Sequence, residues 1–149
     1  MKSKPNKFIH LLIGVFYRIG FKKIAVFVEL FVYGRDMYDV LRRSRITLNS
    51  HIDVARGSAT NLRLFEATGV GTFLMTDHLT DLHLLFEPAR EVGTYRSVSQ
   101  CLDQLNYWFT RDAEREEIAR AGQARCLRDH NYHNRAEHLV ALLEKWAPA

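Results

Sequence analysis

From residue 24 onward, short apolar runs alternate with stretches of helical periodicity. Residues 24–28 (IAVFV) are β-branched and aromatic and read as a buried strand, preceded by an amphipathic helix that starts near residue 8. Tyr33-Gly34 marks a turn, and Asp36 caps a short helix over 37–43 whose apolar stripe is Met37, Tyr38, Val40 and Leu41. Residues 45–49 (RITLN) form the next predicted strand, followed by a polar loop over 50–58. A helix over 60–68 follows, with Gly69 as its left-handed stop. The pattern then gives a strand at 72–76 (TFLMT), a short helix at 79–86 ended by Pro88, and a weaker strand at 91–95. Three helices complete the chain, over 99–109, 113–128 and 135–146.

Strands alternating with helices at these intervals imply parallel βαβ units. The expected fold is therefore α/β, a Rossmann-like doubly wound parallel sheet with a helical C-terminal third. In such sheets ligands sit beyond the carboxyl ends of the strands. That rule gathers 49–60, the Thr76-Asp77-His78 turn and the turn before Ser97 on one edge. It locates a ligand edge without naming a ligand.

Composition narrows the class. The 149 residues are 47% hydrophobic and 26% charged, which excludes a disordered or low-complexity chain. The formal net charge of +4 is unevenly spread. Lys2, Lys4, Lys7, Arg18, Lys22, Lys23 and Arg35 face only Glu29 within the first 35 residues, and acids outnumber bases in the rest. This basic segment suits solvent or an anionic membrane surface. Without aromatic-basic interleaving or a nucleic-acid motif, no nucleic-acid partner is expected. Arg18, Lys22, Lys23 and Glu29 break the apolar stretch over 8–33, short of the roughly 18 consecutive apolar residues a membrane span needs. No small-residue cleavage site follows 8–17, so a secretory signal is not expected. Cys101 and Cys126 have no metal-ligand spacing and read as reduced thiols of a cytoplasmic protein, possible attachment to the inner face of the membrane aside.

A set of stretches carries a resemblance. They are YGRDMY at 33–38, SRITLN at 44–49, NLRLFEATGVGTFLMTD at 61–77, LFEPAREV at 85–92, YRS at 95–97, IARAGQ at 118–123 and HNYHNR at 130–135. In this order they resemble the nucleotide-sugar-binding domain of glycosyltransferases with the two-domain B-type fold, closest to the CgeB-like group among group 1 glycosyltransferases. The likeness covers about 33–146. It implies a boundary between a basic N-terminal segment, 1–32, and a C-terminal-type glycosyltransferase domain, 33–149. It also implies a nucleoside-diphosphate sugar as donor substrate, no bound cofactor or metal, an acceptor the sequence does not specify, and an N-terminal domain or subunit that completes the enzyme.

The resemblance assigns Glu66 to the second glutamate of a Glu-x7-Glu motif, which binds the donor ribose hydroxyls. A carboxylate can accept hydrogen bonds from both hydroxyls of a diol. A capping or surface carboxylate is the alternative. The motif's first glutamate would fall at position 58, where this chain has Ser58, so that role is not carried over. Asn61 and Arg63 are candidates to replace part of it. Arg63 offers a guanidinium to the diphosphate beside the N-terminus of the 60–68 helix, or else pairs with Glu66 one turn on. Asn49 and His51 follow one strand, and Thr76 and Asp77 end another, so all four are candidate donor contacts or, for the latter pair, helix caps. Glu91 is read as a ligand of a nearby amide. His130, His133 and His138 lack zinc-ligand spacing, and no catalytic residue is assigned. A non-catalytic binding module, peripheral to a membrane through its basic start, is the competing reading.

Overall fold

The computed structural model describes residues 34–51, 58–59 and 61–147. The amphipathic helix and the strand expected before residue 33 lie outside the described residues, as do most of the 50–58 loop and Thr60. Met37–Ala149 forms a compact unit. Its elements run α1 (Gly34–Arg43, which starts just before the unit), β1 (Ile46–Leu48), α2 (Arg63–Gly69), β2 (Phe73–Asp77), a 3-10 turn (Leu82–Leu84), β3 (Gly93–Tyr95), α3 (Val98–Phe109), α4 (Asp112–Asp129) and α5 (Tyr132–Trp146).

The three strands are parallel in the order β1-β2-β3. Ile46 lies opposite Phe73 and Leu48 opposite Met75, while Met75 lies opposite Gly93 and Asp77 opposite Tyr95. Successive side chains of a strand point to opposite faces. Leu74 of the central strand joins Leu64 and Ala67 of α2, Val92, and Cys126 of α4 in one core. Its neighbour Phe73 packs against Trp108 of α3, with ring centroids 5.0 Å apart. Helices therefore cover both faces, and the chain is α/β with a helical C-terminal part, as the alternation predicts.

The terminal helices follow their sequence logic. Ser97 accepts from the Gln100 amide to cap α3, and Cys101, Leu105 and Trp108 form its buried stripe at helical spacing. Both cysteines are free and buried, and burial pushes the Cys101 thiol up to about 11. On α4 the buried stripe is Arg115, Ala119, Gly122 and Cys126. Arg115 is held by the Trp108 carbonyl and by Asp112, each at 2.7 Å. Asn131 caps α5, which starts earlier than the expected 135 and buries none of its residues. Among the described residues no helix is long and apolar enough to cross a membrane.

Gly122 fixes how closely α4 approaches the sheet. A Cβ there would lie 2.3 Å from the Glu91 carbonyl oxygen, which is backbone and cannot swing away. Gly122→Ala is expected to cost about 1–3 kcal/mol, because overpacking outweighs the roughly 1 kcal/mol gained in helix propensity. A rise or no change in the thermal midpoint would show that α4 does not pack this tightly.

Four local expectations are corrected. The 79–86 segment is not an α-helix: only the single 3-10 turn Leu82–Leu84 forms, although Leu82 and Phe86 do share the core at helical spacing. Asp81 is tied to Ser58 and Ala59 at one end of this segment and Pro88 stands at the other, so little length remains to propagate a helix. The left-handed residue after α2 is Gly71, at φ +80°, whereas Gly69 is the last helical residue. Helix α2 begins at Arg63 and not at 60, and the weaker strand shortens to Gly93–Tyr95. Glu91 accepts from the Glu87 amide at 2.8 Å, as expected of it.

Candidate functional site

The carboxyl ends of the three strands are joined by side chains. Beyond β1 the ladder continues through the Asn49 amide, which donates to the Met75 carbonyl at 2.8 Å. This register sets Asn49 beside Thr76, on the face that α2 covers. The Asn49 amide nitrogen donates to the Thr76 hydroxyl at 2.9 Å, and Asn61 donates to the Asn49 side-chain oxygen at 3.0 Å. Asn49 and Thr76 are both buried. From the third strand the Tyr95 phenol donates to the Asn49 carbonyl at 2.6 Å. Burial, and secondarily the charge of Asp77, pushes the Tyr95 phenol well above its ordinary range, so it remains a donor.

Two residues on, the chain turns so that His51 presents two donors to one carboxylate. Its backbone amide lies 3.1 Å from each Asp77 oxygen, and its Nδ1 lies 2.7 Å from Oδ1. The Thr76 hydroxyl donates to the same oxygen at 3.1 Å. The His51 side chain is 4% exposed and that of Asp77 24%. The other ring nitrogen of His51, Nε2, is buried and has no hydrogen-bond partner among the described residues.

Asp81 ties the residues before α2 to the segment after β2. It accepts the Ser58 hydroxyl at 2.5 Å and the Ala59 amide at 2.9 Å. The Ser58 hydrogen bond holds its carboxyl below the usual carboxylate range, with the Ala59 amide and the charge of His51 adding to the effect. Ser58, which interrupts the expected Glu-x7-Glu pattern, thus serves to anchor the loop's return to the segment after β2.

Five of the seven sequence-predicted residues, Asn49, His51, Asn61, Thr76 and Asp77, come together in this network. Thr76 and Asp77 cap no helix. Arg63 and Glu66 lie one turn along α2, paired with each other at 3.3 Å. The helix has only seven residues, and the Leu64, Phe65 and Glu66 amides are already bonded to Asn61 and Leu62. Two of the three C-terminal histidines have other partners. His130 lies between the rings of Phe65 and Phe86, at 5.2 and 5.1 Å, with Nε2 at 2.8 Å from the Leu85 carbonyl. His133 pairs with Glu137 on the exposed α5. Among the described residues no three His, Cys, Asp or Glu side chains are grouped as a metal site.

A family model described as glycosyl transferase-like matches residues 10–141. The chain belongs to this glycosyl transferase-like family. No curated protein and no solved structure matches it. Family membership supports glycosyl transfer as the general chemistry, in agreement with the parallel sheet and helical C-terminal part. The match begins at residue 10, well ahead of residue 33, where the motifs of the resemblance start.

In this glycosyl transferase-like chain, sequence reading misses three contributors to the edge. Tyr95 sits inside a short strand and gives no signal of its own, since only the register brings its hydroxyl to Asn49. Asp81 appears in sequence as part of a helix. Arg96 follows β3 and reaches His78 at 2.8 Å, another pairing that depends on strand order. A groove of about 480 Å³ lies elsewhere, where β3 begins, lined by Glu87, Arg90, Glu91, Glu114 and Glu117 beside Trp108. Its carboxylates outnumber the single guanidinium of Arg90, which does not suit a phosphate-bearing donor, and it holds none of the predicted residues.

Proposed function

We propose that the chain binds a nucleoside-diphosphate sugar at the carboxyl edge of its sheet and contributes the donor half of glycosyl transfer, as in the CgeB-like group. The observation that carries this reading is the buried polar network of Asn49, Asn61 and Thr76 with the His51–Asp77 pair beside it. Buried polar groups are costly unless satisfied, and a parallel sheet binds ligands at this edge. Glu66 takes the ribose hydroxyls. Arg63 exchanges its surface pairing with Glu66, worth only a few tenths of a kcal/mol, for a diphosphate oxygen. The domain's mechanistic share is to position the anomeric carbon and to stabilise the departing diphosphate, while the acceptor is brought by a second lobe or subunit.

Ligand-observed NMR with UDP, GDP and dTDP tests this reading. At least one diphosphate is expected to bind, and Glu66→Ala is expected to weaken it about tenfold through loss of charge-assisted hydrogen bonds to the ribose. Unchanged binding in Glu66→Ala would reject the ribose role alone. Absence of binding by all three would reject the donor site. Binding without donor hydrolysis or transfer would favour a non-catalytic nucleotide-binding module.

A further inference from the structure

We infer that Nε2 of His51 receives a hydroxyl of the sugar carried by the donor, making the His51–Asp77 pair a sugar-recognition element and not a phosphate clamp. The inference rests on the donor-site reading above and adds to it an atom, a ligand group and a direction of selectivity.

The imidazole is fixed before any ligand arrives. Nδ1 meets Asp77 Oδ1 at 2.7 Å, and the backbone amide of the same residue meets both carboxylate oxygens at 3.1 Å. An ionised carboxylate only accepts, so Nδ1 carries the proton of that hydrogen bond. The Thr76 hydroxyl, itself held by Asn49, steadies the carboxylate from the central strand. What remains is Nε2, on a side chain 4% exposed and without a partner among the described residues. A buried polar atom left in this state is unfavourable, and a ligand group that satisfies it gains the difference.

The chemistry of that ligand group follows from the donor inventory. A bare Nε2 accepts a hydrogen bond, and a protonated Nε2 donates one. A hydroxyl can do the complementary job in either state, whereas an ionised phosphate oxygen can only accept. The charged neighbour points the same way. Asp77 is bonded to the ring. A carboxylate beside the ring opposes a diphosphate and leaves a neutral polyol unopposed. A site built to hydrogen-bond a hydroxyl discriminates strongly against a ligand lacking it, because its buried polar atom is then left unpaired.

The test uses the full chain, titrated calorimetrically with UDP and UDP-glucose, with GDP and GDP-mannose, and with dTDP and dTDP-glucose. In the pair that binds, the sugar nucleotide is expected to bind tighter than its diphosphate. His51→Phe, which keeps a planar ring and removes both nitrogens, is expected to reduce that preference about tenfold while changing diphosphate affinity less than twofold. A second measurement needs no variant. In wild-type protein with 15N-labelled histidine, the His51 Nε2 resonance is expected to shift on adding the sugar nucleotide and to stay in place with the diphosphate. If His51→Phe does not fold, this resonance decides. A sugar preference that survives His51→Phe, or an Nε2 resonance unmoved by a bound sugar nucleotide, overturns the inference while the donor site stands. Equal loss of diphosphate and sugar nucleotide would make the pair a phosphate clamp and overturn it as well. If none of the six ligands binds, the donor-site reading itself fails and takes this inference with it.

Discussion

Phe86→Ala is expected to lower the unfolding free energy by about 3–5 kcal/mol, as for other fully buried phenylalanines. Phe86 is 0% exposed and belongs to the core built from Leu64, Leu74, Leu82 and Val92. Its ring lies 6.0 Å from Phe65 and 5.1 Å from His130. Truncation would remove the apolar transfer gain and leave a cavity between two aromatic walls. His130 cannot follow inward to fill it, because its Nε2 is held at the Leu85 carbonyl. Urea unfolding should show the loss as a lower midpoint at unchanged slope. The damage should also reach the ligand edge, since Leu82 and Phe86 anchor the segment from which Asp81 holds Ser58 and Ala59. A cost under about 1 kcal/mol would mean that the cavity collapses and that this ring is not a structural pillar.

The parts of this fold that are legible in sequence are those governed by local periodicity. The run of Phe73, Leu74 and Met75 is apolar on both faces, which is what a central strand covered on both sides requires. The stripe of Cys101, Leu105 and Trp108 has helical spacing and is buried as such. Strand ends are legible too, and they bring Asn49, Thr76 and Asp77 to one edge without knowledge of any contact. Where the outcome depends on pairing between distant residues, local pattern is insufficient. The spacing of Leu79, Leu82, Leu85 and Phe86 is helical, yet tertiary bonds at Asp81 confine the segment to one 3-10 turn. Gly69 and Gly71 are equivalent as stop signals. Only the close approach of Gln123, whose side chain donates to the Gly69 carbonyl, accompanies the left-handed residue at 71. Arg63 looks in sequence like a free phosphate ligand or a partner of Glu66, and in the structure it is paired with Glu66.

The same distinction explains the site. Residue types at strand ends predict that His51 and Asp77 share an edge, but not that they share a hydrogen bond. That bond depends on the loop after β1 turning so that the His51 amide and ring reach one carboxylate, 26 residues away in sequence. Tyr95 is the clearer case. It lies two residues before the α3 cap, and the β2–β3 register sets it opposite Asp77, from where its phenol reaches the Asn49 carbonyl. No local pattern carries the Tyr95–Asn49 contact, which spans 46 residues and runs between β3 and the end of β1. Family resemblance reaches further than periodicity here, because the ordered motifs name glycosyl transfer, and the family match over 10–141 agrees at that level.

Asn49→Leu should be the most damaging single change at the edge, costing about 2–4 kcal/mol although the two side chains are nearly isosteric. The leucine fits the space but pairs with neither the buried Thr76 hydroxyl, which costs roughly 1–3 kcal/mol when orphaned, nor the half-buried Asn61, which loses less. Thr76 keeps one outlet, its bond to Asp77, which holds the total below the sum of two full penalties. The backbone is not at issue, since the Tyr95 phenol binds the Asn49 carbonyl whatever the side chain. This separates two explanations that a single variant would confuse. If the cost arises from the stranded hydroxyl, Asn49→Leu combined with Thr76→Val removes both partners and should be less destabilised than the two single costs added together. Additive costs would instead assign the loss to packing and would mean that Asn49 and Thr76 are not coupled at the edge. Because Thr76 also steadies Asp77, the coupled outcome carries a second consequence: Asn49→Leu should loosen the His51–Asp77 pair, visible as faster exchange of the His51 amide proton.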